Sequence, residues 1–102
     1  MKSIINGKKY DTETAKEIGC GSNNLSYRDF NWWTEVLYQK RTGEFFLYGE
    51  GGPASRYAVS ADGHGWESGK KIIPLSEDKA RKWAEEHLDA DEYEEIFGEV
   101  QE

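Results

Sequence analysis

The sequence predicts one small α+β domain, in which a small antiparallel sheet packs against two or three short helices. Two runs rich in aromatic and β-branched residues, 32–39 and 44–48, are typical of strands. Two stretches near the end of the chain instead repeat their apolar residues at helical spacing. The 102 residues suit a single core, because two separate cores would each be too small to be stable.

The chain begins with a signal for a β-hairpin, because residues 3–5 and 8–10 flank Asn6 and Gly7. That dipeptide best tolerates the positive φ angles of a type I′ turn. We therefore predict an N-terminal hairpin as the first part of the sheet.

A short helix is predicted next. Asp11 or Thr12 can cap it, and Gly19 can stop it after about residue 18. Ala15 and Ile18 would be its buried contacts. The small, polar residues that follow, 20–26, predict a loop.

A central aromatic hairpin is the clearest structural signal in the chain. The two aromatic runs are joined by three residues that fit a hairpin loop with Gly43 in the left-handed conformation. In that register Tyr38 lies opposite Phe46, while Leu37 and Leu47 share the other face. Both faces carry apolar groups, so we expect helices on one face. The other face is expected to be either covered by a loop or exposed as an aromatic patch.

The second half of the chain predicts a long loop, one further strand and a helix. Glycines and weak periodicity indicate the loop at residues 49–69, and Pro74 ends a short strand that begins at residue 70. Ser76 can cap a helix over residues 77–88, whose apolar side includes Trp83. We expect this helix to cover the central hairpin through Trp83 and Leu88.

An acidic helical segment is predicted for residues 89–102, within a single domain that spans residues 1–102. Asp89 and Glu92, three residues apart, form the pattern of a helix cap. The apolar face of that helix consists of Tyr93, Ile96, Phe97 and Val100.

Charge is divided unevenly along the chain. Residues 1–84 hold all 13 Lys and Arg against 11 Asp and Glu, whereas residues 85–102 hold nine acids and no Lys or Arg. The net charge of −7 is therefore concentrated at one end. Such a segment repels phosphates, which disfavours direct nucleic-acid binding. It is either a solvated, solubilising helix face or a surface that meets a basic partner.

No residue pattern indicates catalysis, a cofactor or a metal site. Cys20, His64 and His87 are the only soft metal ligands, and they lack the paired spacing of structural zinc sites. The glycines at 49–52 lack the Gly-Lys-Ser/Thr ending of a phosphate-binding loop. We therefore expect a non-enzymatic protein that folds without a metal or cofactor. A single cysteine, no signal peptide and no long apolar stretch predict a cytoplasmic location without membrane contact.

Candidate partner-binding residues come from two segments. The glycine-rich loop carries Arg56, Tyr57 and Trp66, and loops on a rigid scaffold commonly hold recognition residues. The acidic segment supplies carboxylates for one helical surface, namely Asp89, Asp91, Glu92, Glu94, Glu95 and Glu99.

Four parts of the chain resemble small proteins carried by phages and mobile elements of Gram-positive bacteria. They are residues 5–15 (INGKKYDTETA), 37–38 (LY), 43–52 (GEFFLYGEGG) and 72–76 (IIPLS). The resemblance runs over about residues 4–88 and brings no catalytic motif with it. Proteins of this size and context include candidate inhibitors of host defence, among them anti-CRISPR proteins. The resemblance therefore implies an accessory role in a phage-associated setting.

The leading hypothesis is an anti-CRISPR protein that acts in the cytoplasm of a bacterial host. Its carboxylates would occupy a basic groove on a host protein or ribonucleoprotein effector and block nucleic-acid binding. The protein would act as a monomer or homodimer. The main alternative is a regulatory or antitoxin-like module that binds protein through the aromatic hairpin. An enzyme or ligand-binding protein and a direct nucleic-acid binder are the remaining classes.

Overall fold

The computed structural model describes residues 1–102 as eight strands and two helices. No helix is both long enough and apolar enough to cross a bilayer. The elements are β1 (Lys2–Ile5), β2 (Lys8–Asp11), β3 (Lys16–Ser22), β4 (Trp33–Gln39), β5 (Phe45–Gly51), β6 (Val59–Ser60), β7 (Trp66–Glu67), β8 (Gly69–Leu75), α1 (Glu77–His87) and α2 (Ala90–Phe97).

The main sheet has four antiparallel strands in the order β3-β4-β5-β8. Its central pair, β4 and β5, has the predicted register, with Tyr38 opposite Phe46 and Leu37 opposite Leu47. Gly43 has a φ of 94°, as the hairpin loop requires. The α+β class, the central hairpin and the further strand β8 are therefore confirmed.

The N-terminal hairpin is also confirmed, but it forms a separate two-stranded sheet. Asn6 and Gly7 have φ angles of 52° and 78°, consistent with the predicted turn. The hairpin packs on the sheet face that lies away from the helices, where the Tyr10 ring meets the edge of Phe46 at 5.5 Å. Tyr38 stacks on the same ring at 5.2 Å. This face of the central hairpin is thus covered, by a hairpin rather than by a loop.

The predicted helix over residues 12–18 is wrong, and the loop predicted for residues 20–26 is wrong over residues 20–22, which belong to β3. Asp11 does begin a single turn, since its carbonyl accepts the N–H of Ala15 at 3.1 Å. The chain then enters β3, which pairs with β4 and continues to Ser22. Pairing with β4 satisfies backbone groups on one side of this segment, apart from an irregularity between Glu17 and Gly19, whereas a short isolated helix is only marginally stable.

Two glycines of β3 allow α1 to lie close to the sheet. A Cβ at Gly19 would stand 2.4 Å from Leu88, and one at Gly21 would stand 2.6 Å from the His87 ring. The glycine that suggested a helix stop therefore has a different role, because it makes room for the end of the helix.

Helix α1 begins and packs as predicted. The Ser76 hydroxyl accepts the Lys79 N–H at 3.2 Å, which completes the cap. The buried face of the helix covers the sheet, and Leu88 packs against the same core. That core consists of Leu37, Phe45, Leu47, Ala80 and Trp83.

The predicted long loop over residues 49–69 is wrong in part. Strand β5 extends to Gly51, and a small hairpin of β6 and β7 occupies the second half of the segment. Only residues 52–58 remain as an irregular connection. This connection lies over the N-terminal end of β4, and the candidate site lies there.

Candidate functional site

A buried glutamate lies at the end of the sheet that is covered by α1. Side chains alternate along β4, so Trp33, Glu35 and Leu37 share the face toward the helix. Glu35 is 5% exposed and is the one buried charged residue of the protein. A buried carboxylate is costly unless it is hydrogen bonded and paired with a charge.

Three side chains from two other segments satisfy Glu35. Trp83 of α1 donates its indole N–H to Oε1 at 3.0 Å. The Tyr57 hydroxyl and Arg56 Nη2 both donate to Oε2. Arg56 Nη2 also lies 3.1 Å from the Tyr57 hydroxyl. The carboxylate therefore ties the 52–58 connection to both the sheet and the helix.

The connection is anchored to the chain just before β4 as well. The N–H groups of Gly52 and Ala54 donate to the carbonyls of Trp32 and Phe30, at 2.9 and 2.8 Å. The Ser55 N–H donates to the Gly52 carbonyl at 3.0 Å. These donors are used within the chain, so this glycine-rich segment does not present them as a cradle for phosphate.

The absence of a side chain at Gly49 is what lets Tyr57 reach Glu35. Gly49 pairs with Glu35 across the β4–β5 ladder. A Cβ at this position would lie 2.0 Å from Cζ and 2.1 Å from the hydroxyl of Tyr57. The Tyr57 ring therefore lies directly over the backbone of β5, with its hydroxyl at the carboxylate.

Gly49→Ala is expected to destabilise the domain by about 2 kcal/mol or more, because overpacking a close contact costs about 1 to 3 kcal/mol. Urea unfolding at neutral pH measures the change. The matched control is the same substitution in a Tyr57→Ala background, where the contact no longer exists and the cost should nearly disappear. An equal cost in both backgrounds would contradict the proposed contact.

The surroundings of Glu35 and Tyr57 determine which of the two groups is ionised and which is protonated. Burial alone would raise the pKa of Glu35, but hydrogen bonds from Tyr57, Trp83 and Arg56, with the Arg56 charge, hold that pKa below its ordinary value. Burial and the neighbouring carboxylate raise the pKa of the Tyr57 hydroxyl. Glu35 is thus ionised and Tyr57 protonated at neutral pH. The ionised carboxylate and its three donors hold the connection in place.

A cavity of about 590 Å³ lies beside this cluster. Its lining includes Asn31, Trp33, Arg56, Glu86 and His87. The His87 ring packs between the two tryptophans, 5.9 Å from Trp33 and 4.7 Å from Trp83. The lining of the cavity therefore combines polar side chains with aromatic ones.

A second candidate surface lies on α2. The predicted capping box is present, because Asp89 accepts the Glu92 N–H at 2.8 Å and Glu92 accepts the Asp89 N–H at 3.1 Å. The Phe97 ring packs 5.4 Å from Phe45, and Ile96 packs against the same core. The carboxylates of α2 are therefore carried by a helix that is fixed to the domain.

Comparisons of the chain with protein-family models, curated proteins and solved structures found no match.

The structure divides the predicted partner-binding residues among three places. Arg56 and Tyr57 meet at Glu35, whereas Trp66 lies in the β6–β7 hairpin with 66% of its surface exposed. Tyr57 is only 1% exposed, so the expectation that it contacts a partner directly is corrected. The sequence predicts Tyr57 in a long loop, but its ring packs over Gly49 and its hydroxyl bonds Glu35 in the interior. The six acidic residues lie together at α2, as its cap, within it and just beyond it: Asp89, Asp91, Glu92, Glu94, Glu95 and Glu99.

The six carboxylates differ in their local contacts. Asp89 and Glu92 complete the cap, and Glu94 accepts the Val100 N–H at 3.0 Å. The other three are exposed and make no hydrogen bond or ion pair within the chain. These three are Asp91, Glu95 and Glu99.

Sequence reasoning missed Glu35, the centre of the buried cluster. The signal was its position between Trp33 and Leu37 in a strand where alternate residues face the core. An acid at such a position requires donors from elsewhere. Arginine and tyrosine side chains can both donate to a carboxylate, and Arg56 and Tyr57 stand together 21 and 22 residues later.

Proposed function

We propose that this chain is a non-enzymatic accessory protein that binds a basic surface of a protein or ribonucleoprotein partner through the carboxylates of α2. The resemblance to phage and mobile-element proteins suggests the setting, an inhibitor of host defence of the anti-CRISPR kind. In that role the protein would occupy a basic nucleic-acid groove of an effector complex and exclude the nucleic acid.

The observation that carries the proposal is the packing of the acidic helix on the core. Phe97 and Ile96 hold α2 on the core, and the Arg81 guanidinium lies over the Phe97 ring at 4.7 Å. Because the helix is already ordered, its carboxylates can meet a basic groove without the entropy cost of ordering a tail. Complementary potentials also raise the rate of association.

The charge distribution supports the same surface. Residues 85–102 contain nine acids and no Lys or Arg, so no basic side chain within this stretch neutralises the array. Such an array presents concentrated negative charge, as a nucleic acid does, and it repels the nucleic acid itself.

Charge-matched variants test this proposal. Asp91→Asn, Glu95→Gln and Glu99→Gln together remove three exposed carboxylates of the acidic surface. The control removes three exposed carboxylates elsewhere, Glu13→Gln, Glu17→Gln and Glu67→Gln. Both triple variants change the net charge from −7 to −4, so they differ only in where the charge is lost.

The measurement is inhibition of target-DNA binding by an RNA-guided effector complex of a Gram-positive host, at about 50 and 200 mM salt. We expect the α2 triple variant to bind the effector about tenfold more weakly with a flatter salt dependence, because exposed ion pairs contribute roughly 0.2 to 1 kcal/mol each. The control should inhibit like the unchanged protein, and both variants should keep its melting temperature. Equal inhibition by the two triple variants would exclude the α2 surface.

A second candidate function is a protein-binding regulatory or antitoxin-like module. One observation favours it, with a binding surface other than the aromatic hairpin. The aromatic hairpin itself is covered on both faces, by α1 and by the N-terminal hairpin. Exposed apolar residues lie instead between β3 and β4, where Tyr27 and Phe30 are 74% and 68% exposed. Binding that persists at high salt and depends on these two side chains would favour this candidate over the first.

A further inference from the structure

A groove separates the end of α1 from the start of α2 and the C-terminal tail, with a volume of about 420 Å³. Four of its lining residues are apolar, and we call them its floor: Leu88, Ala90, Tyr93 and Val100. Three acidic residues also line it, and we call their carboxylates its rim: Glu85, Asp89 and Glu94. We call this the helix-end groove.

Two hydrogen bonds to Glu94 hold the tail side of the helix-end groove. Gly98 ends α2 with a φ of 90°, and its N–H donates to the Glu94 carbonyl at 2.8 Å. The Val100 N–H then donates to the Glu94 carboxylate at 3.0 Å. The Val100 side chain is 57% exposed beside the groove, contrary to the expectation that it continues the apolar face of the helix. The turn at Gly98 takes the chain off the helical path that this expectation assumed.

We propose that the helix-end groove receives a lysine or arginine side chain of a protein partner. The aliphatic stem would lie on the apolar floor, and the cationic group would reach the carboxylates of the rim. This inference rests on the proposed function, because it specifies which part of a basic partner the acidic end holds.

The chemistry of the groove selects this occupant over others. Three carboxylates repel an anionic ligand, and a wholly apolar segment would remove water from them without supplying donors. No Lys or Arg lines the groove, and Arg81 contacts the Tyr93 hydroxyl at 3.5 Å and lies over Phe97, outside that lining. A basic side chain with an aliphatic stem matches both the floor and the rim.

The N-terminus of α2, although it opens on the groove, does not compete as an anion site. Asp89 and Glu92 already cap it reciprocally, and Asp91 adds a further negative charge to its first turn. Acidic side chains of the protein itself therefore compensate the positive end of the helix dipole.

The length of the cationic side chain provides a direct test. The probes are a blocked tetrapeptide of lysine and a blocked tetrapeptide of 2,4-diaminobutyric acid, which has the same charge and two fewer methylenes per side chain. We expect the lysine peptide to bind about three- to tenfold more tightly, because up to two additional methylenes are buried on the groove floor. Titrations followed by two-dimensional NMR at low salt give both affinities and should shift the amide signals of Leu88, Tyr93 and Val100. Equal affinities, or shifts confined to other regions, would overturn the proposal.

A substitution in the tail separates stem packing from charge. Val100→Ser removes an apolar side chain of the floor without changing charge, and it should weaken binding of the lysine peptide about threefold while leaving the shorter peptide nearly unaffected. Val59→Ser is the matched control, because Val59 is also exposed and lies in the β6–β7 hairpin. An equal effect of both substitutions, or of neither, would contradict the groove.

The outcomes also separate this inference from the proposed function. If the effector is not inhibited but the lysine peptide is preferred and Val100→Ser removes the preference, the groove stands and the proposed partner is wrong. If the effector is inhibited and the α2 triple variant abolishes inhibition, but the two peptides bind equally, the acidic surface stands and the groove proposal is wrong.

Discussion

Glu35→Ala is expected to lower the free energy of unfolding by about 3 kcal/mol at neutral pH. The substitution leaves the buried Tyr57 hydroxyl and Trp83 indole N–H without their acceptor, and an unsatisfied buried group costs roughly 1 to 3 kcal/mol. Arg56 contributes less to this cost, because 55% of its side chain is exposed and water can replace the carboxylate there. Urea unfolding measures the change.

The control for Glu35→Ala is Glu17→Ala, which removes an exposed glutamate from the neighbouring strand β3. Its expected effect lies within about 0.5 kcal/mol, as for most surface substitutions. A loss of less than about 1 kcal/mol in Glu35→Ala would mean that the cluster is not a structural centre.

The same cluster gives a pH dependence with a defined sign. Because the folded-state pKa of Glu35 is lowered from 4.5, its ionised form stabilises the fold above pH 4.5, and this contribution is lost as the pH falls through the lowered pKa. The stability difference between the unchanged protein and Glu35→Gln should therefore shrink from about pH 7 to about pH 3. Glu44, whose pKa is also lowered, is common to both proteins and cancels in this comparison.

Elements with local signals were predictable from the sequence. The Asn6-Gly7 turn, the Gly43 loop and the caps at Ser76 and Asp89 each depend on a few neighbouring residues, and the structure contains all four. These signals were sufficient for the register of the central hairpin and the starts of both helices.

Elements that depend on distant partners were not predictable in the same way. Strand β3 has glycines at positions 19 and 21 and little intrinsic strand preference, so its conformation comes from pairing with β4 and from the approach of α1. The Glu35 cluster likewise joins residues 21, 22 and 48 positions apart. A local pattern could identify an inward-facing acid, but not which donors would reach it.

The candidate surfaces illustrate the same division. The cap and the apolar face of α2 identified a helical acidic segment, because both are local properties. The burial of Tyr57 and the exposure of Val100 depended on Gly49 and Gly98, whose roles become visible only when the chain is folded.

Trp83→Ala is expected to be the most damaging single substitution, with a loss of about 4 to 5 kcal/mol in unfolding free energy. Deleting a buried aromatic side chain costs about 3 to 5 kcal/mol, and here the Glu35 carboxylate also loses a donor. Trp83 is 7% exposed and packs in the core cluster with Leu37 and Leu47. Its removal therefore leaves a space among apolar side chains, which water cannot fill without a cost in free energy. Circular dichroism during urea unfolding is the suitable measurement, because the substitution changes tryptophan fluorescence directly.

Two further variants divide the Trp83 effect into packing and hydrogen bonding. Trp83→Phe keeps much of the ring but removes the indole N–H. When Glu35 is present, the loss of unfolding free energy should exceed the part due to reduced packing by about 1 to 2 kcal/mol. That additional cost should fall in a Glu35→Gln background, as a double-mutant cycle would show. Trp66→Ala is the control for loss of a tryptophan at an exposed site, with an expected change within about 0.5 kcal/mol. If Trp83→Ala cost no more than Trp66→Ala, the described packing of α1 on the central hairpin would be wrong. The described position of the 52–58 connection would then be unsupported as well.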